Sequence, residues 1–426
     1  MREMKDSGVE WIGEIPSSWK VVSTKFLFQI LSGATPDSSI PEYWDGDITW
    51  ITPADYKTKD VYVDSGRRCL SKIGFDSCST SMISAGSIIF SKRAPIGSVA
   101  INQTDLCTNQ GCLSCVSKGN SFAKYYYYVM SVATEHYELL GSGTTFKEIS
   151  ATNFGNFALP YPDYQIQIEI SNYLDGKCAQ VNTLIANVQA QIEKLKDYKQ
   201  SVITEVVTKG LDPTVPMKDS GFEWIGEIPA HWGVTRIKNM FELWNERNDE
   251  ADLTKVNLIS LYTDLGVVQH SDLTATTGNR AVTAEGYKIV RKHDIVVNII
   301  LCWMGAVGMS QYDGVTSPAY DIYRPLKDTN SEYYHYLFRT NRFNGECYRY
   351  GRGIMMMRWR TYSTEFRAIN IPCPPAEEQK KIVTHLNEKC NKIDQLIAIK
   401  QAKIEKLEQY KRSLIYEYVT GKKEVR

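Results

Sequence analysis

The sequence of 426 residues lacks three features that would assign it to a class at once. Its most apolar run, residues 295–309, has only 15 residues and contains Asn298, so it is too short to span a bilayer. Its 49 basic residues balance its 49 acidic ones, so any site for a polyanion must be a local patch. No export signal opens the chain, and ten cysteines without such a signal favour reduced thiols. We therefore expect a cytoplasmic protein with no membrane partner.

Motifs of catalysis are also scarce. The sequence has no Asp/Asn-Pro-Pro-Tyr/Phe motif of an amino-methyltransferase, no glycine-rich AdoMet loop and no GxxxxGK(S/T) phosphate loop. Two weak patterns leave alternatives open. Asp37 and Asp55 with Lys57 would suit a metal-dependent nuclease. The three cysteines within 107–115 would suit zinc, although they fit a strand of small residues more simply.

What the sequence does contain is two copies of one design. The opening segment 4–21 returns as 217–234, with fourteen of eighteen positions identical at an offset of 213. The segment 189–208 returns as 401–420, with thirteen of twenty positions identical at an offset of 212. The blocks between these segments share almost no pattern: residues 29–158 and 242–370. Such a chain suits a reader of two different targets at a fixed separation.

Periodicity predicts the elements of each copy. Short β-branched runs such as 87–90 and 294–300 indicate strands, and helical patches interrupt them. Residues 165–208 and 377–420 have apolar positions at heptad spacing, which is typical of coiled coils. Helices of about 65 Å should pack on each other, although two unconnected amphipathic helices remain an alternative. The predicted helix-packing residues are Leu174, Val181, Leu184, Val188, Ile192, Leu195, Val202, Leu386, Ile393, Leu396, Ile404, Leu407 and Leu414.

These residues resemble the specificity (S) subunit of type I restriction-modification systems over the whole chain. The likeness rests on the duplicated Gly-Glu-Ile-Pro-x-x-Trp segment, the Pro-x-Pro exits and the Ile-Glu-Lys-Leu-x-x-Tyr-Lys helices. It also rests on shorter motifs: Thr35-Pro36, Tyr43-Trp44, 46–53, Cys107-Thr-Asn-Gln110 and Ser317-Pro-Ala-Tyr320. The second block lacks the Thr-Pro and Tyr-Trp-x-Gly signature, so loop positions cannot be transferred to it from the first block.

The resemblance implies an α/β (α+β) fold. It has two mixed α/β target recognition domains, joined and separated by two long antiparallel helices that form a coiled coil with a pseudo-twofold repeat. The corresponding segments are target recognition domain 1 (1–163), helical spacer 1 (164–212), target recognition domain 2 (213–375) and helical spacer 2 (376–426).

The resemblance also implies a non-catalytic role. Subunits of this family bind a bipartite, asymmetric site in double-stranded DNA and scaffold two methyltransferase subunits, to which two motor-nuclease restriction subunits add. AdoMet, ATP and Mg²⁺ are then expected on those partners, and neither a cofactor nor a metal on this chain. The alternative from another class is a coiled-coil assembly scaffold whose variable blocks bind proteins.

Candidate DNA contacts in the second block form an arginine cluster. The segment 342–367 contains six arginines and only two acidic residues, Glu346 and Glu365, and a glycine lies on each side of Arg352. Arginine can bind guanine O6 and N7 or phosphates in a forked geometry. A solvated basic face is the alternative. The residues assigned to DNA are Arg342, Arg349, Arg352, Arg358 and Arg360.

The first block offers a weaker set. Its stretch 141–147 is equivalent in place, since 17 residues separate Gly143 from Pro160 and 19 separate Gly353 from Pro372. Asn and Gln can read adenine, but in turns they more often cap backbone groups, and a plain glycine turn is the alternative for the stretch. The predicted contacts are Thr35, Lys92, Arg93, Asn109, Gln110, Thr144, Thr145 and Lys147.

Overall fold

The computed structural model describes residues 2–56, 61–143, 147–272, 283–353 and 359–425. The chain forms two compact units. Unit 1 contains residues 1–188 and 402–426, and unit 2 contains residues 189–401. Each unit therefore combines one variable block with parts of both repeated helices, whereas the predicted segments simply follow one another along the chain. Within the described residues, no helix has the length and apolar character needed to cross a membrane.

The first half of the chain supplies most of unit 1. Its strands are β1 (Met4–Asp6), β2 (Glu14–Pro16), β3 (Lys20–Ser23), β4 (Phe28–Ser32), β5 (Trp44–Ile51), β6 (Tyr62–Val63), β7 (Arg68–Leu70), β8 (Ile88–Ser91), β9 (Val99–Asn102), β10 (Cys107–Thr108), β11 (Cys112–Ser117) and β12 (Ala158–Tyr161). Its helices are α1 (Thr24–Leu27), α2 (Lys72–Asp76), α3 (Ala123–Val132), α4 (Thr134–Leu139), α5 (Ala151–Asn156) and the long α6 (Tyr164–Lys209).

The second half supplies most of unit 2. Its strands are β13 (Met217–Asp219), β14 (Glu227–Pro229), β15 (Gly233–Arg236), β16 (Phe241–Trp244), β17 (Ile259–Tyr262), β18 (Gly266–Gln269), β19 (Lys288–Val290), β20 (Ile295–Asn298), β21 (Val307–Met309), β22 (Gly314–Thr316), β23 (Tyr320–Pro325) and β24 (Asn370–Cys373). Its helices are α7 (Ser331–Phe338), α8 (Asn341–Tyr350), α9 (Ser363–Ala368) and the long α10 (Ala376–Val419).

The main sheets of the two units share one topology. Unit 1 has the order β4-β11-β8-β9-β6, and unit 2 has the order β16-β23-β20-β21. The registers also correspond, because Cys112 of β11 pairs with Ser91 of β8, and Tyr320 of β23 pairs with Asn298 of β20. Two blocks with almost no common sequence pattern therefore fold around the same four-stranded antiparallel sheet.

Both faces of these sheets are covered. In unit 1, Ile88 and Phe90 belong to one hydrophobic cluster, and Ile89 between them belongs to another. In unit 2, Ile295 and Val297 likewise belong to a different cluster from Val296. A strand buried on both faces is a continuous apolar run rather than an alternating one. The unbroken apolar runs 88–90 and 295–297 fit this burial.

The repeated opening and exit segments close each unit. Strand β3 pairs with β12, which places Pro160 opposite Val21, and β15 pairs with β24, which places Pro372 opposite Val234. Each pair is an isolated two-stranded sheet. Proline is tolerated at such an edge because the lost N–H is not needed by a neighbouring strand.

In each unit a pair of tyrosines on a short helix forms hydrogen bonds to the end of a long helix and to the exit strand. The hydroxyl of Tyr125 on α3 donates to Val419 O at 2.7 Å, and that of Tyr333 on α7 donates to Val207 O at 2.7 Å. The next residue in each helix is also a buried tyrosine, and its hydroxyl donates to the carbonyl of the exit proline at 3.5 and 3.4 Å. The run 125–128 is entirely buried, so these tyrosines pack in the core of unit 1.

Within each unit the two long helices contact each other in antiparallel order. In unit 1, Tyr418 donates to Tyr173 at 3.0 Å and Lys411 donates to Asn182 at 2.9 Å. In unit 2, Lys400 donates to Gln191 at 2.7 Å and Lys199 donates to Asp394 at 2.8 Å. The first of these unit 2 bonds explains why the heptad pattern tolerates a lysine at position 400.

The apolar stripe of these helices is narrower than the heptad pattern predicted. Eleven of the thirteen predicted packing residues occur at buried or half-buried positions along it: Leu174, Val181, Val188, Ile192, Leu195, Val202, Leu386, Ile393, Ile404, Leu407 and Leu414. Leu184 and Leu396 are instead 50% and 48% exposed. Buried or half-buried residues recur in alternating steps of four and three, as at 174, 178, 181, 185 and 188, and as at 386, 390, 393 and 397. Leu184 and Leu396 each precede a stripe position by one residue and therefore lie beside the contact.

Candidate nucleic-acid interface

Three loops of unit 1 are joined by main-chain hydrogen bonds. They are the segment 92–98 after β8, the turn 109–111 before β11 and the loop that Ser142 and Glu148 close before α5. Lys92 N donates to Gly111 O at 3.0 Å, and Ile149 N donates to Lys92 O at 3.0 Å. We call this set the loop surface of unit 1. It brings together Lys92, Arg93, Asn109, Gln110 and Lys147.

Two cations of this surface, Lys92 and Arg93, share one carboxylate. Lys92 Nζ lies 2.7 Å from Glu148 Oε1, and Arg93 Nη1 lies 3.6 Å from Glu148 Oε2. The side chain of Lys92 is only 16% exposed, whereas that of Arg93 is 36% exposed. Lys147 is exposed and has no side-chain partner among the described residues. The surface therefore has a net positive charge, with Lys92 and Arg93 oriented by Glu148.

The amide side chains of the turn have mixed roles. Asn109 Oδ1 accepts a hydrogen bond from Gly111 N at 2.9 Å, which is the capping role stated as the alternative. Gln110 is exposed, and its Oε1 accepts from the hydroxyl of Thr35. This contact joins Thr35, which precedes β5, to the turn. Gln110 is therefore better placed than Asn109 to meet a base edge.

Unit 2 has corresponding loops, which the sequence did not allow us to align. Thr361 N donates to Ile299 O at 2.9 Å, as Ile149 N donates to Lys92 O in unit 1. Tyr320 N donates to Ser317 O at 3.1 Å, matching the bond from Cys112 N to Asn109 O at 3.1 Å. The segment 299–306 thus corresponds to 92–98, and the turn 317–319 to 109–111. Together with the loop before α9 they form the loop surface of unit 2.

The third loop of each surface is closed by the same kind of bridge. Ser142 and Glu148 exchange two main-chain hydrogen bonds of 3.0 and 2.9 Å, and Arg352 and Arg360 exchange two of 2.9 and 3.0 Å. Each loop is preceded by a helix and followed by a short one, as the glycine-to-proline spacing predicted. Three predicted contacts in these loops lie outside the described residues: Thr144, Thr145 and Arg358.

Two of the unit 2 arginines are held by glutamates. Arg349 donates to both oxygens of Glu346, at 2.8 and 2.6 Å. The Arg352 guanidinium lies 3.0 Å from Glu365 Oε1, while the side chain of Arg352 remains 76% exposed. The two arginine side chains stay mostly exposed, at 66% and 76%, whereas Glu346 and Glu365 are only 5% and 16% exposed. The carboxylates therefore orient the two guanidinium groups at the surface.

The other arginines differ in their freedom. Arg342 is exposed and donates to Ile225 O at 3.4 Å. Arg360 is exposed and has no side-chain partner within the described part of the chain. Arg360 corresponds to Glu148 of unit 1, since both close the third loop. Where unit 1 has two cations and a carboxylate, unit 2 therefore has two isoleucines and an unpaired arginine.

The side chain of Trp359 packs next to Arg360. Its ring stacks on Tyr348 with centroids 5.0 Å apart, and its Nε1 donates to Tyr348 O at 3.0 Å. A Cβ on Gly351 would approach Trp359 Nε1 to 2.2 Å, so only glycine allows this packing. The glycine before Arg352 is thus required for packing against Trp359.

Comparison with known proteins identifies the family. Residues 16–194 and 229–409 match the model of the type I restriction modification DNA specificity domain, so the match repeats with the internal duplication and includes most of the chain. The chain belongs to this family. The resemblance stated from the sequence is thereby confirmed.

Relatives of this family match at different extents. The chain is 31% identical over 244 residues to the type I restriction enzyme MjaIX specificity subunit of Methanocaldococcus jannaschii, covering 56% of this chain and 55% of that protein. It is 24% identical to the putative MjaX specificity subunit of the same organism, covering 96% and 95%. A chain from a solved type I R-M system matches with a TM-score of 0.68 at 14% identity, covering 95% and 98%, which shows the fold.

The acidic residues of the alternative nuclease site form hydrogen bonds with nearby residues of the chain. Asp37 accepts from Ser39 N and Oγ at 2.9 and 2.7 Å, and Asp55 accepts from the Thr52 hydroxyl at 2.6 Å and the Arg67 guanidinium at 2.9 Å. Their partner Lys57 lies outside the described residues. Among the described residues, no three His, Cys, Asp or Glu side chains are placed to hold a metal ion.

The cysteines of the zinc alternative are buried on two strands: Cys107 on β10, and Cys112 and Cys115 on β11 of the main sheet. Burial raises the pKa of the Cys107 and Cys112 thiols to about 12, so both are neutral at physiological pH. The interpretation as strand residues is the one that the structure supports.

Sequence reasoning missed two groups at this interface. Glu148 was overlooked because it lies 55 residues from Arg93, and only the fold brings the two together. The duplicated Tyr-Tyr-x-Tyr pattern at 125–128 and 333–336 was also missed as a repeat. Its offset of 208 rather than 212 hid it, although a search tolerant of insertions would have found it.

Proposed function

We propose that this chain is the DNA-recognition subunit of a type I restriction-modification complex. Each unit would bind one half of a bipartite, asymmetric site in double-stranded DNA, and the long helices would set the spacer between the halves. The chain would scaffold two methyltransferase subunits and the restriction subunits that join them. AdoMet, ATP and Mg²⁺ would be bound by those partners, and this chain would contribute no catalytic residue.

The observation that carries the proposal is one sheet with two different loop surfaces. A duplicated protein that binds one target twice would keep the same loop chemistry in both copies. Here the loops at 92–98 and 299–306 occupy corresponding positions but differ completely in charge. Base edges in the major groove are read by side-chain chemistry, so unlike loops predict unlike half-sites.

Partner docking is supported by a second duplication. In unit 1, Leu184 and Tyr410 are 50% and 56% exposed, close to the bond between Lys411 and Asn182. In unit 2, Tyr198 and Leu396 are each 48% exposed. They lie beside the ion pair between Lys199 and Asp394, which is the repeat equivalent of that bond. Two near-identical apolar surfaces suit two copies of one partner.

Footprinting with the methyltransferase subunits added is the direct test. The proposal expects two protected patches with an indifferent middle, and methylation of one adenine in each half-site on opposite strands. Uniform or absent protection would favour the assembly scaffold whose variable blocks bind proteins. Cleavage or modification of DNA by the purified chain alone would favour an enzyme instead.

The docking surfaces can be tested by measuring the mass of the assembled complex, which gives the number of bound methyltransferase subunits. Leu184→Asp should reduce the bound methyltransferase from two copies to one, because a buried carboxylate without a partner is costly. Adding Leu396→Asp should remove both copies. Ile399→Asp provides a matched control, since Ile399 is 66% exposed on α10 and its repeat equivalent is the polar Asn187, so this apolar position is not duplicated. Unchanged stoichiometry in the double variant would move the docking site elsewhere.

A further inference from the structure

The segment 299–306 of unit 2 exposes apolar side chains on its loop surface. Leu301 is 37% exposed and Met304 is 50% exposed. The segment is fixed rather than loose, because Asn298 Oδ1 accepts from Ile300 N at 3.0 Å and Asn298 N donates to Ala306 O at 3.0 Å. Exposed apolar residues on an anchored loop need a physical reason.

This segment lies among groups suited to nucleic acid. Its Ile299 O accepts from Thr361 N, the residue after the unpaired Arg360. Trp303 packs edge to face on Tyr348 with centroids 5.7 Å apart, next to the stack of Tyr348 on Trp359. The apolar segment is therefore flanked by exposed arginine and aromatic side chains, and the positive charge complements a phosphate backbone.

A second protein is a poorer occupant for this segment. Two copies of one partner need surfaces that repeat, as Leu184 repeats in Leu396. The segment does not repeat, because the corresponding residues of Ile299 and Ile300 are Lys92 and Arg93. It belongs to the part of the chain that differs between units, and this part is where differing targets are read.

We propose that Leu301 and Met304 read the 5-methyl groups of thymine in the half-site bound by unit 2. In the major groove, the thymine methyl is the base-edge group that an apolar side chain recognises. Lys92 and Arg93 at the corresponding place in unit 1 recognise their half-site by hydrogen bonds and charge instead. This inference rests on the proposed function and adds the chemical class of one half-site.

The test uses the chain assembled with its methyltransferase subunits. The probe is a duplex that contains the target sequence found by methylation mapping. In separate duplexes, the thymines of one half-site are replaced by deoxyuridine, which lacks the methyl group and keeps the base pairing. Dissociation constants are measured for wild type, Met304→Ser, Leu301→Ser and a control, Leu326→Ser. Leu326 is 39% exposed and follows the opposite end of β23 from the segment.

Replacement in one half-site should weaken wild-type binding about fourfold for each methyl that is buried. Replacement in the other half-site should leave the dissociation constant unchanged. Met304→Ser and Leu301→Ser should bind the thymine duplex more weakly and should lose much of the difference between thymine and deoxyuridine. Leu326→Ser should retain the full difference.

Three results would overturn the inference. They are equal affinity for thymine and deoxyuridine duplexes in both half-sites, an undiminished difference in both segment variants, and loss of the methyltransferase from the Met304→Ser complex. The last result would mean that the segment docks a protein. Failure of the proposed function is distinguishable, because the wild-type complex would then show no preference for the mapped duplex over a scrambled one.

Discussion

Unit 1 and unit 2 have the same structure in their buried sheets and helices, and they differ in their exposed loop surfaces. Their four-stranded sheets have the same order and register, and their tyrosine helices end on the same carbonyls of the repeat, Val419 and Val207. Their loop surfaces share only main-chain bonds. The difference teaches that this duplication preserved the apolar pattern and the backbone hydrogen bonds, while the side chains that can meet a target changed freely.

One exchange shows how the loops changed together. In unit 1, Glu148 balances Lys92 and Arg93. In unit 2, isoleucines occupy the places of both cations and Arg360 occupies the place of the carboxylate. A carboxylate left beside isoleucines would have no cation to pair with. The replacement leaves an unpaired cation at the surface, which solvent or a phosphate can satisfy.

The largest expected effect tests whether the sheet determines the stability of unit 1. Phe90 is fully buried and packs against Tyr137 and Phe154 with centroids 4.8 and 4.5 Å away. Phe90→Ala should lower the free energy of unfolding by about 3–5 kcal/mol because it leaves a cavity. Urea denaturation measures this change, and Phe26→Ala, at a residue that is 67% exposed, is the control. Equal stabilities of the two variants would contradict a shared core.

A buried histidine should make the stability of unit 2 depend on pH. Burial, with Arg339 and Lys199 nearby, lowers the pKa of His335 to about 3 from 6.5. Between pH 6.5 and pH 3, His335 is protonated in the unfolded chain but stays neutral in the folded chain. Stability is therefore full above pH 6.5 and falls towards pH 3, by roughly 3 kcal/mol at pH 4.

The measurement is denaturation from pH 7 to pH 4. His335→Gln should flatten the profile, because a glutamine oxygen can still accept the hydrogen bond that Met309 N donates to His335 Nδ1 at 3.1 Å. His231→Gln is the control, since His231 is exposed. A wild-type profile that His335→Gln leaves unchanged would assign the acid sensitivity to other groups.

Matched tyrosine variants test whether the equivalent hydrogen bonds of unit 1 and unit 2 contribute equally to stability. Tyr125→Phe and Tyr333→Phe each remove a hydroxyl that donates to a helix-end carbonyl at 2.7 Å. Each should cost about 1–2 kcal/mol of unfolding free energy, because a buried acceptor loses its partner. Denaturant titration would show the two costs agreeing within error. A large difference between the two losses of unfolding free energy would mean that the two hydrogen bonds are equivalent in geometry but not in energy.

The smallest expected effect concerns the unpaired cation. Arg360→Ala should weaken DNA binding by the assembled complex several-fold and reduce the slope of log affinity against log salt by about 1. Arg349→Ala is the comparison, since Glu346 already binds that guanidinium in two hydrogen bonds. Titration at several salt concentrations gives both slopes. An unaltered slope for Arg360→Ala would exclude a phosphate contact at that residue.

Much of the frame was predictable from the sequence. The predicted helices 165–208 and 377–420 are observed as Tyr164–Lys209 and Ala376–Val419, because heptad spacing over such lengths has no other compact solution. The strand within 294–300 was predicted too long, since Asn298 ends it by capping the turn. The predicted helix-packing stripe was too broad at Leu184 and Leu396, because the contact passes through positions 185 and 397 instead, one residue further along each helix.

The candidate site was less predictable. The sequence indicated which residue types can meet DNA, such as the arginines between 342 and 367, and it placed the third loop of each unit correctly. It could not show that Arg349 and Arg352 are paired while Arg360 is not. It also gave no reason to align Lys92 with Ile299, because that correspondence exists only in the main-chain hydrogen bonds.

The repeat, the family and the long helices follow from the sequence alone, because segment identity and apolar periodicity are visible in the order of the residues without knowledge of any contact. The common sheet, the exchange at Glu148 and Arg360, and the apolar segment 299–306 were decided by the tertiary structure. Each depends on which backbone groups pair across tens of residues. Such pairing leaves no local signal when the side chains above it have diverged.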